Sequence, residues 1–284
     1  MSALGGLLRS EGTLRVATWN LWCRNGDWRA RQPAIIGILR GVDADVVGFQ
    51  ELSTREPDQV AWLRDELGYV VATSPDGDDD RHGIANAIAS RWPIIETAWR
   101  YLDVGSMPPH RTVLRATIAS PHGDLRVYCT HLSHGFDQSG LRRRQLDQIA
   151  MMVAEERDDP SGTYPPIVLG DFNAVPDSDE MRRVTGLTEP AVSGLVFSDA
   201  WAQAGGGLGA TYSASNPYVV DSAWPERRLD YVLVGWPRPR PLGNPVRASL
   251  IGVEPLDGVV ASDHYGVAVD LRSTSFEIGG TLEP

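Results

Sequence analysis

Cysteine is almost missing from this chain of 284 residues, which has only Cys23 and Cys129. That excludes a small scaffold held by several disulfides and fits a reducing compartment. Cys129 lies in an apolar stretch and reads as a small core residue; nothing in the sequence supports a Cys23–Cys129 bond. Positive charge is also short. Lysine and arginine total 26 against 37 acidic residues, for a net charge of -11 and a pI near 5.0. Proteins that grip nucleic-acid phosphates without sequence preference usually present basic surface, so this balance disfavours nucleic acid as a partner and leaves at most a local basic groove. No apolar run is long enough to span a bilayer. Residues Met1–Arg9 have neither a basic start nor a full apolar core, so no signal peptide is read. The expected location is the cytoplasm, although a secreted form that began after its cleavage site would read the same. Internal repeats, heptads and low-complexity segments are absent, and nothing implies a protein partner.

What is present is an ordinary apolar content of 42%, enough for a sizeable core. Short Val- and Ile-rich runs bounded by Gly, Pro, Asp and Ser predict strands. They are Leu14–Trp19, Val46–Gln50, Tyr69–Thr73, Ile84–Ser90, Ile94–Tyr101, Arg111–Ala119, Leu125–His131, Ile167–Gly170, Leu229–Val234 and Val267–Leu271. Pro121-His122-Gly123-Asp124 reads as a hairpin turn. Helices are predicted over Arg31–Arg40, Pro57–Leu67 and Gln138–Glu155, the last with Leu141, Gln145, Ile149 and Val153 on one face. Its Arg142, Arg143 and Arg144 form either a solvated face or an anion-attracting rim. Strands alternate with helices, then pair as hairpins, then alternate again. The expectation is an α+β fold in which two mixed sheets pack face to face with helices outside. A single domain over 13–272 is expected, with 1–12 and 273–284 as loose ends.

The polar residues that interrupt this pattern sit where apolar runs end. Asn20 closes the first strand and offers an amide to a cation or phosphate, or simply forms a turn. Glu51 follows the buried run Val46–Phe49 and needs a partner, either a divalent cation or an arginine. Asp171 and Asn173 follow Ile167–Gly170 and either polarise a water or make an Asx turn. His131 ends a strand, with His134 three residues on. The other candidate ligands are oxygen donors that suit Mg²⁺ or Mn²⁺, so a zinc pair is rejected and His131 is assigned to a phosphate oxygen or the leaving group. Asp230 lies within an apolar strand. It pairs either with His264, as a proton-handling dyad, or with Arg227 or Arg228. Asp263 remains as a second carboxylate near Glu51. Asn86 either donates to a phosphate or satisfies backbone, and Arg111 suits bidentate phosphate recognition or a surface ion pair. His82 and His110 read as surface residues.

Taken in order, Trp19-Asn20, Gln50-Glu51, Thr130-His131-Leu132, Gly170-Asp171-Phe172-Asn173, Leu229-Asp230-Tyr231 and Ser262-Asp263-His264 resemble the endonuclease/exonuclease/phosphatase superfamily of metal-dependent phosphoesterases. Asn86 with Ser90–Ile94 fits the same likeness, which covers about Leu14 to Leu271. The resemblance implies a four-layered α/β/β/α sandwich and Mg²⁺, with Mn²⁺ as a substitute. Glu51 would be the main ligand, helped by Asn20 and Asp263. Asp171 and Asn173 would align water and phosphate, His131 would assist the leaving group, and Asp230–His264 would be the dyad. The water proton is left to either Asp171 or His264. The expected function is hydrolysis of a phosphate ester, as a phosphodiesterase or phosphatase on a small organic phosphate or lipid head group. The alternatives are a DNA or RNA nuclease and a non-catalytic binding protein on the same fold. Gly205–Trp224, with Tyr212, Asn216, Tyr218 and Trp224, either lines a substrate pocket or is a surface loop anchored by its aromatics.

Overall fold

A computed structural model of the chain describes residues 7–55, 58–75, 83–105, 111–157 and 164–274. His82 and His110 lie outside these ranges. The strands are β1 (Thr13–Asn20), β2 (Val46–Ser53), β3 (Val70–Thr73), β4 (Ile84–Ser90), β5 (Ile94–Tyr101), β6 (Thr112–Ser120), β7 (Gly123–His131), β8 (Ile167–Asp171), β9 (Val196–Asp199), β10 (Asp230–Trp236), β11 (Pro245–Ile251) and β12 (Gly266–Arg272). The helices are α1 (Trp28–Val42), α2 (Gln59–Leu67), α3 (Ser139–Glu156), α4 (Asp179–Val184) and α5 (Ala200–Ala204). Each strand and helix read from the sequence is present, with ends shifted by a few residues at most. The additions are β9, β11, α4 and α5.

The strands form two six-stranded sheets, ordered β11-β12-β1-β2-β4-β3 and β5-β6-β7-β8-β10-β9. The two share one design. A central parallel pair, β1/β2 in one and β7/β8 in the other, is flanked by antiparallel neighbours. Ser120 pairs with Gly123, which confirms the hairpin at Pro121-His122.

Alternation along the central strands explains the layers. On β1, Leu14 and Val16 face the other sheet, while Ala17 and Trp19 face α1. On β8, Ile167 and Leu169 face between the sheets, while Val168 faces α3 with Leu146, Ile149 and Met152. The result is an α/β/β/α sandwich in which the central strands are buried on both sides. A Cβ at Gly48 would lie 1.8 Å from Leu169, so the missing side chain sets how closely the sheets approach. Both cysteines are buried, and they are not joined in a disulfide. Cys129 lies between the sheets and accepts from Gln50 Nε2 at 3.2 Å.

Part of the stretch expected to be a loose N-terminus lies against the body. Leu7 packs on the core beside α1, Arg9 ion-pairs with Asp45, and Ser10 N donates to Asp270. The anchor is buried Arg15, which donates to both oxygens of Asp270 at 2.6 and 3.0 Å and to carbonyls of Leu7, Leu8 and Val42. Burial opposes the Asp270 charge, but Arg15 and the Ser10 N–H outweigh it and hold this carboxyl below its ordinary range. A depressed folded-state pKa gives stability that is present above about pH 4 and lost as pH falls through the folded value. Asp270→Asn is therefore expected to cost about 2 kcal/mol near neutral pH. The gap from the parent should narrow below about pH 4, as followed by thermal melts across pH. A gap independent of pH would show that the pair's charge contributes nothing.

Candidate active site

The two parallel pairs end at the same edge of the sandwich, and the candidate residues collect there. Asn20 is the last residue of β1 and pairs in register with Gln50 of β2. Glu51 follows at a bulge in the β2–β4 ladder, with a left-handed φ of 52°. The bulge interrupts strand alternation and re-aims its side chain. In the second sheet, Asp171 pairs with His131 on one side and Asp230 on the other. Three adjacent strands therefore present His131, Asp171 and Asp230 side by side. His264 lies just before β12, where Trp19 Nε1 donates to its carbonyl at 2.9 Å and Ser262 Oγ donates to the Asn20 carbonyl at 2.7 Å.

Asp171 is the hub. Its carboxylate accepts from Asn20 Nδ2 at 3.1 Å and from Asn173 N at 2.9 Å. His131 Nε2 lies 3.3 Å away and His264 Nε2 3.9 Å away. Burial and the neighbouring Asp230 charge push its pKa up to about 7, against the opposing pull of His264 and the two donors. His264 Nδ1 is 2.9 Å from Asp230 Oδ2. Burial favours the neutral imidazole, yet Asp230, Asp171 and Asp263 together raise the His264 pKa well above its usual value. His131 goes the other way: burial, reinforced by Arg111, His264 and His134, holds it well below the usual histidine range. One imidazolium and one neutral imidazole thus face the same carboxylate.

Two regions are rich enough in carboxylates to consider for a cation. Ligand atoms of Asp171, Asp230 and His264 lie within 4.8 Å of one another. The carboxylates around His264 raise its pKa and favour the protonated ring. The other region is Glu51 with Asp263. Burial first, and the Glu51 charge as well, push the Asp263 pKa up to about 6. Among the described residues neither carboxylate has an ion-pair partner. Glu51 accepts from Asn20 Nδ2 at 3.3 Å, and Asp263 Oδ1 lies 3.4 Å from Ser262 Oγ, whose proton goes to the Asn20 carbonyl. Two carboxylates that repel each other and form no ion pair among the described residues fit a hard divalent cation. Asn20 Oδ1 accepts from Trp22 N at 2.9 Å, while its NH₂ faces Glu51 and Asp171.

A profile of the Endonuclease/Exonuclease/phosphatase family matches residues 17–264. The chain belongs to that family. Its members are typically phosphoester hydrolases and generally use divalent metal ions. Several solved structures share the fold. TDP2 from D. rerio, complexed with a single-strand DNA product, superposes with a TM-score of 0.72 at 23% identity, covering 92% of this chain and 99% of that one. A family member from Bacteroides vulgatus gives 0.70 at 20% identity, covering 91% and 98%. Truncated TDP2 from Caenorhabditis elegans gives 0.69 at 18%, covering 91% and 97%. No curated protein matches the chain in sequence.

Within the family fold, the remaining candidates have distinct surroundings. Asn86 donates to both the carbonyl and the hydroxyl of Thr112 at 3.0 Å, tying β4 of one sheet to β6 of the other. Both amide hydrogens are engaged there, which matches the alternative that Asn86 satisfies backbone and makes it a strut between the sheets. The arginine cluster on α3 is neither a uniform solvated face nor an anion-attracting rim. Arg142 is buried against Glu180 at 2.6 Å, and Arg144 binds Asp103 at 2.6 Å. Arg111 has no carboxylate partner among the described residues. Its guanidinium meets His134 at 3.2 Å and feels the charges of Asp171 and Glu51.

Other residues of the site carried no signal in the sequence. Arg31, 1% exposed, donates to carbonyls of Leu21, Cys23, Asn25 and Ala261. It ties the loop after β1 to the loop before β12, which carries Asp263. Buried Thr211 accepts from the backbone N–H groups of Leu229 and Asp230 through its hydroxyl, and from Tyr265 N through its carbonyl. The Gly205–Trp224 stretch divides between its two expected readings. Asn216 is buried and donates to the Ser262 carbonyl, while the Tyr212 ring lies 5.2 Å from that of His264. No helix among the described residues is long and apolar enough to cross a membrane.

Proposed function

We propose that this protein is a Mg²⁺-dependent phosphoester hydrolase, a phosphodiesterase or phosphatase, acting on a small organic phosphate or lipid head-group ester. The observation that carries this reading is the geometry: His264 Nδ1 lies 2.9 Å from Asp230 and Nε2 3.9 Å from Asp171, beside Glu51 and Asp263, which form no ion pair among the described residues. Glu51 and Asp263 would hold the Mg²⁺, which, when bound, offsets negative charge on the phosphate and leaving oxygen. Mn²⁺ suits the same oxygen donors.

The chain's own residues supply the rest. Asp171, with a pKa near 7, is matched to take a proton from water at neutral pH. His264 already holds its proton, so it serves as a fixed positive donor to the phosphoryl group and not as the base. Neutral His131 donates from its ring N–H, and Arg111 supplies a fork for phosphate oxygens. Asn20 and Asn173 orient the Asp171 carboxylate. Asn173 has a left-handed φ of 50°, and its Nδ2 donates to the Leu132 carbonyl.

A second reading, hydrolysis of nucleic acid, is favoured by the DNA product in the D. rerio neighbour. The net charge of -11 and the pairing of Arg142 and Arg144 weigh against an extended basic groove. The test is purified protein with Mg²⁺ or Mn²⁺ on a panel of phosphomonoesters, lipid diesters, nucleotides and oligonucleotides. Turnover of at least one small ester is expected, lost with chelator and restored by metal. Turnover of small esters should change little with salt, whereas oligonucleotide binding through many phosphates weakens steeply. No metal-dependent hydrolysis anywhere on the panel would leave a binding protein on this fold.

A further inference from the structure

Among the described residues six arginines are more than nine-tenths buried: Arg15, Arg31, Arg115, Arg142, Arg227 and Arg228. Four of them meet carboxylates, namely Asp270, Glu96 with Glu156, Glu180 and Asp199, and Arg31 is saturated by carbonyls. Arg227 differs. Among the described residues its guanidinium donates no hydrogen bond and meets no carboxylate, and its Nε is buried without a partner. Adjacent Arg228, by contrast, is held by both oxygens of Asp199 at 3.1 and 2.8 Å.

Arg227 is held firmly despite this. Its guanidinium packs 4.9 Å from the Phe136 ring and 5.1 Å from the Trp224 ring. Those rings stack at 18° with centroids 6.2 Å apart, and they are 62% and 52% exposed. Its backbone exchanges two hydrogen bonds with Tyr212, whose ring faces His264. Cation–π contacts offset part of the cost of burial, but a charge without a hydrogen-bonded counterion remains expensive. Asp171 is the carboxylate that acts on it most strongly, although no ion pair forms.

We infer that Arg227 binds a second anionic group of the substrate, a phosphate set apart from the one being cleaved. Phe136 and Trp224 shield that ion pair from water. The inference rests on the phosphoester reading of the neighbouring site and narrows its substrate class to esters with at least two phosphates. Arg111, which feels both Glu51 and Asp171, is assigned in the proposed function to the phosphate beside the carboxylates. Arg227 is connected to the site through Tyr212, on the His264 side. A planar fork suits a phosphate there, and the missing hydrogen bonds are the ones such a group would accept.

Two sources of a second phosphate are distinguished by two substrate pairs. The first is thymidine 5′-(p-nitrophenyl phosphate) with and without a 3′-phosphate. The second is an inositol bisphosphate against an inositol monophosphate. The parent should prefer the doubly phosphorylated member of one pair by roughly tenfold or more in kcat/KM, as expected for a charge-assisted hydrogen bond. Arg227→Met should bring that ratio close to one, and Arg227→Lys should retain part of it. Because Met removes an uncompensated buried charge, the variant's Tm should equal or exceed the parent's. No preference in either pair, an unchanged ratio in Arg227→Met, or a Tm lowered by several degrees would overturn the inference. If no ester is hydrolysed at all, the reading of the active site fails separately. Arg227 is then judged by whether inorganic pyrophosphate, without divalent metal, raises the Tm of the parent and not of Arg227→Met.

Discussion

Asp171→Asn is expected to lower kcat by about 10²–10⁴-fold while making the protein more stable. The activity loss follows from the role proposed for this side chain. An amide keeps the shape and can still accept from Asn20 or Asn173 N, but it cannot take a proton from water. The gain in stability follows from burial. A carboxylate 1% exposed, beside Asp230, is pushed up to a pKa of about 7, so its ionised form is disfavoured in the folded state. The sign follows from linkage. A group whose folded pKa is raised contributes stability that is fully present below about pH 4 and lost as pH rises through about 7. Asp171→Asn carries no such term, so its advantage in Tm should grow between those limits and level off above them. For the parent, kcat/KM should rise with pH through about 7, the limb that the variant lacks. Melts and kinetics on the same preparations check both halves. Activity within tenfold of the parent would move the base to another group, and a lower Tm would mean that Asp171 is held in place by more than it costs.

The fold was legible because its strands are short apolar runs with clear punctuation. Val46–Phe49 and Ile167–Leu169 are buried on both faces, and a continuous apolar run is the signature of that position. What escaped detection lacked that contrast. β9 has four residues, α4 six and α5 five, all at or below the length over which a period can be read. β11 is a half-buried edge strand that begins at Pro245 and carries Arg247, so nothing marks it off from a loop. At the site, the residues that end strands were readable because a polar group there interrupts an apolar pattern. His131, Asp171, Asp230 and His264 come together, with Asn20, Glu51 and Asp263 alongside. Asn86 shows the limit of that rule, because the same interruption also fits a strut between two sheets. Arg31, Thr211 and Arg227 were invisible for a different reason. Their roles depend on which carbonyls, N–H groups or rings are brought to them across the chain, and no local pattern records that.

The motif residue that most depends on geometry has no side chain. Gly170→Ala is expected to destabilise the protein by on the order of 4 kcal/mol, a Tm drop of roughly 10 °C. Gly170 has a φ of 148°, a region that L side chains rarely adopt. A Cβ built there would lie 2.0 Å from the Thr130 carbonyl oxygen and about as close as 3.0 Å to the Thr130 carbonyl carbon. These are backbone atoms of the adjacent parallel strand, so no rotamer relieves the clash. β7 and β8 would have to separate at the pair Thr130–Gly170, one residue before His131 and Asp171. The same displacement should disable the site, because Asp171 is placed by its neighbours on both sides. Gly140→Ala is the matched control. It makes the same chemical change near the start of α3, where nothing lies within 4 Å, and helix propensity favours alanine by about 1 kcal/mol. Opposite shifts in Tm from the two variants, read by calorimetry, would locate the cost in the backbone contact between β7 and β8. Equal shifts would mean that this edge of the second sheet yields without penalty, and that Asp171 is aimed by its hydrogen bonds alone.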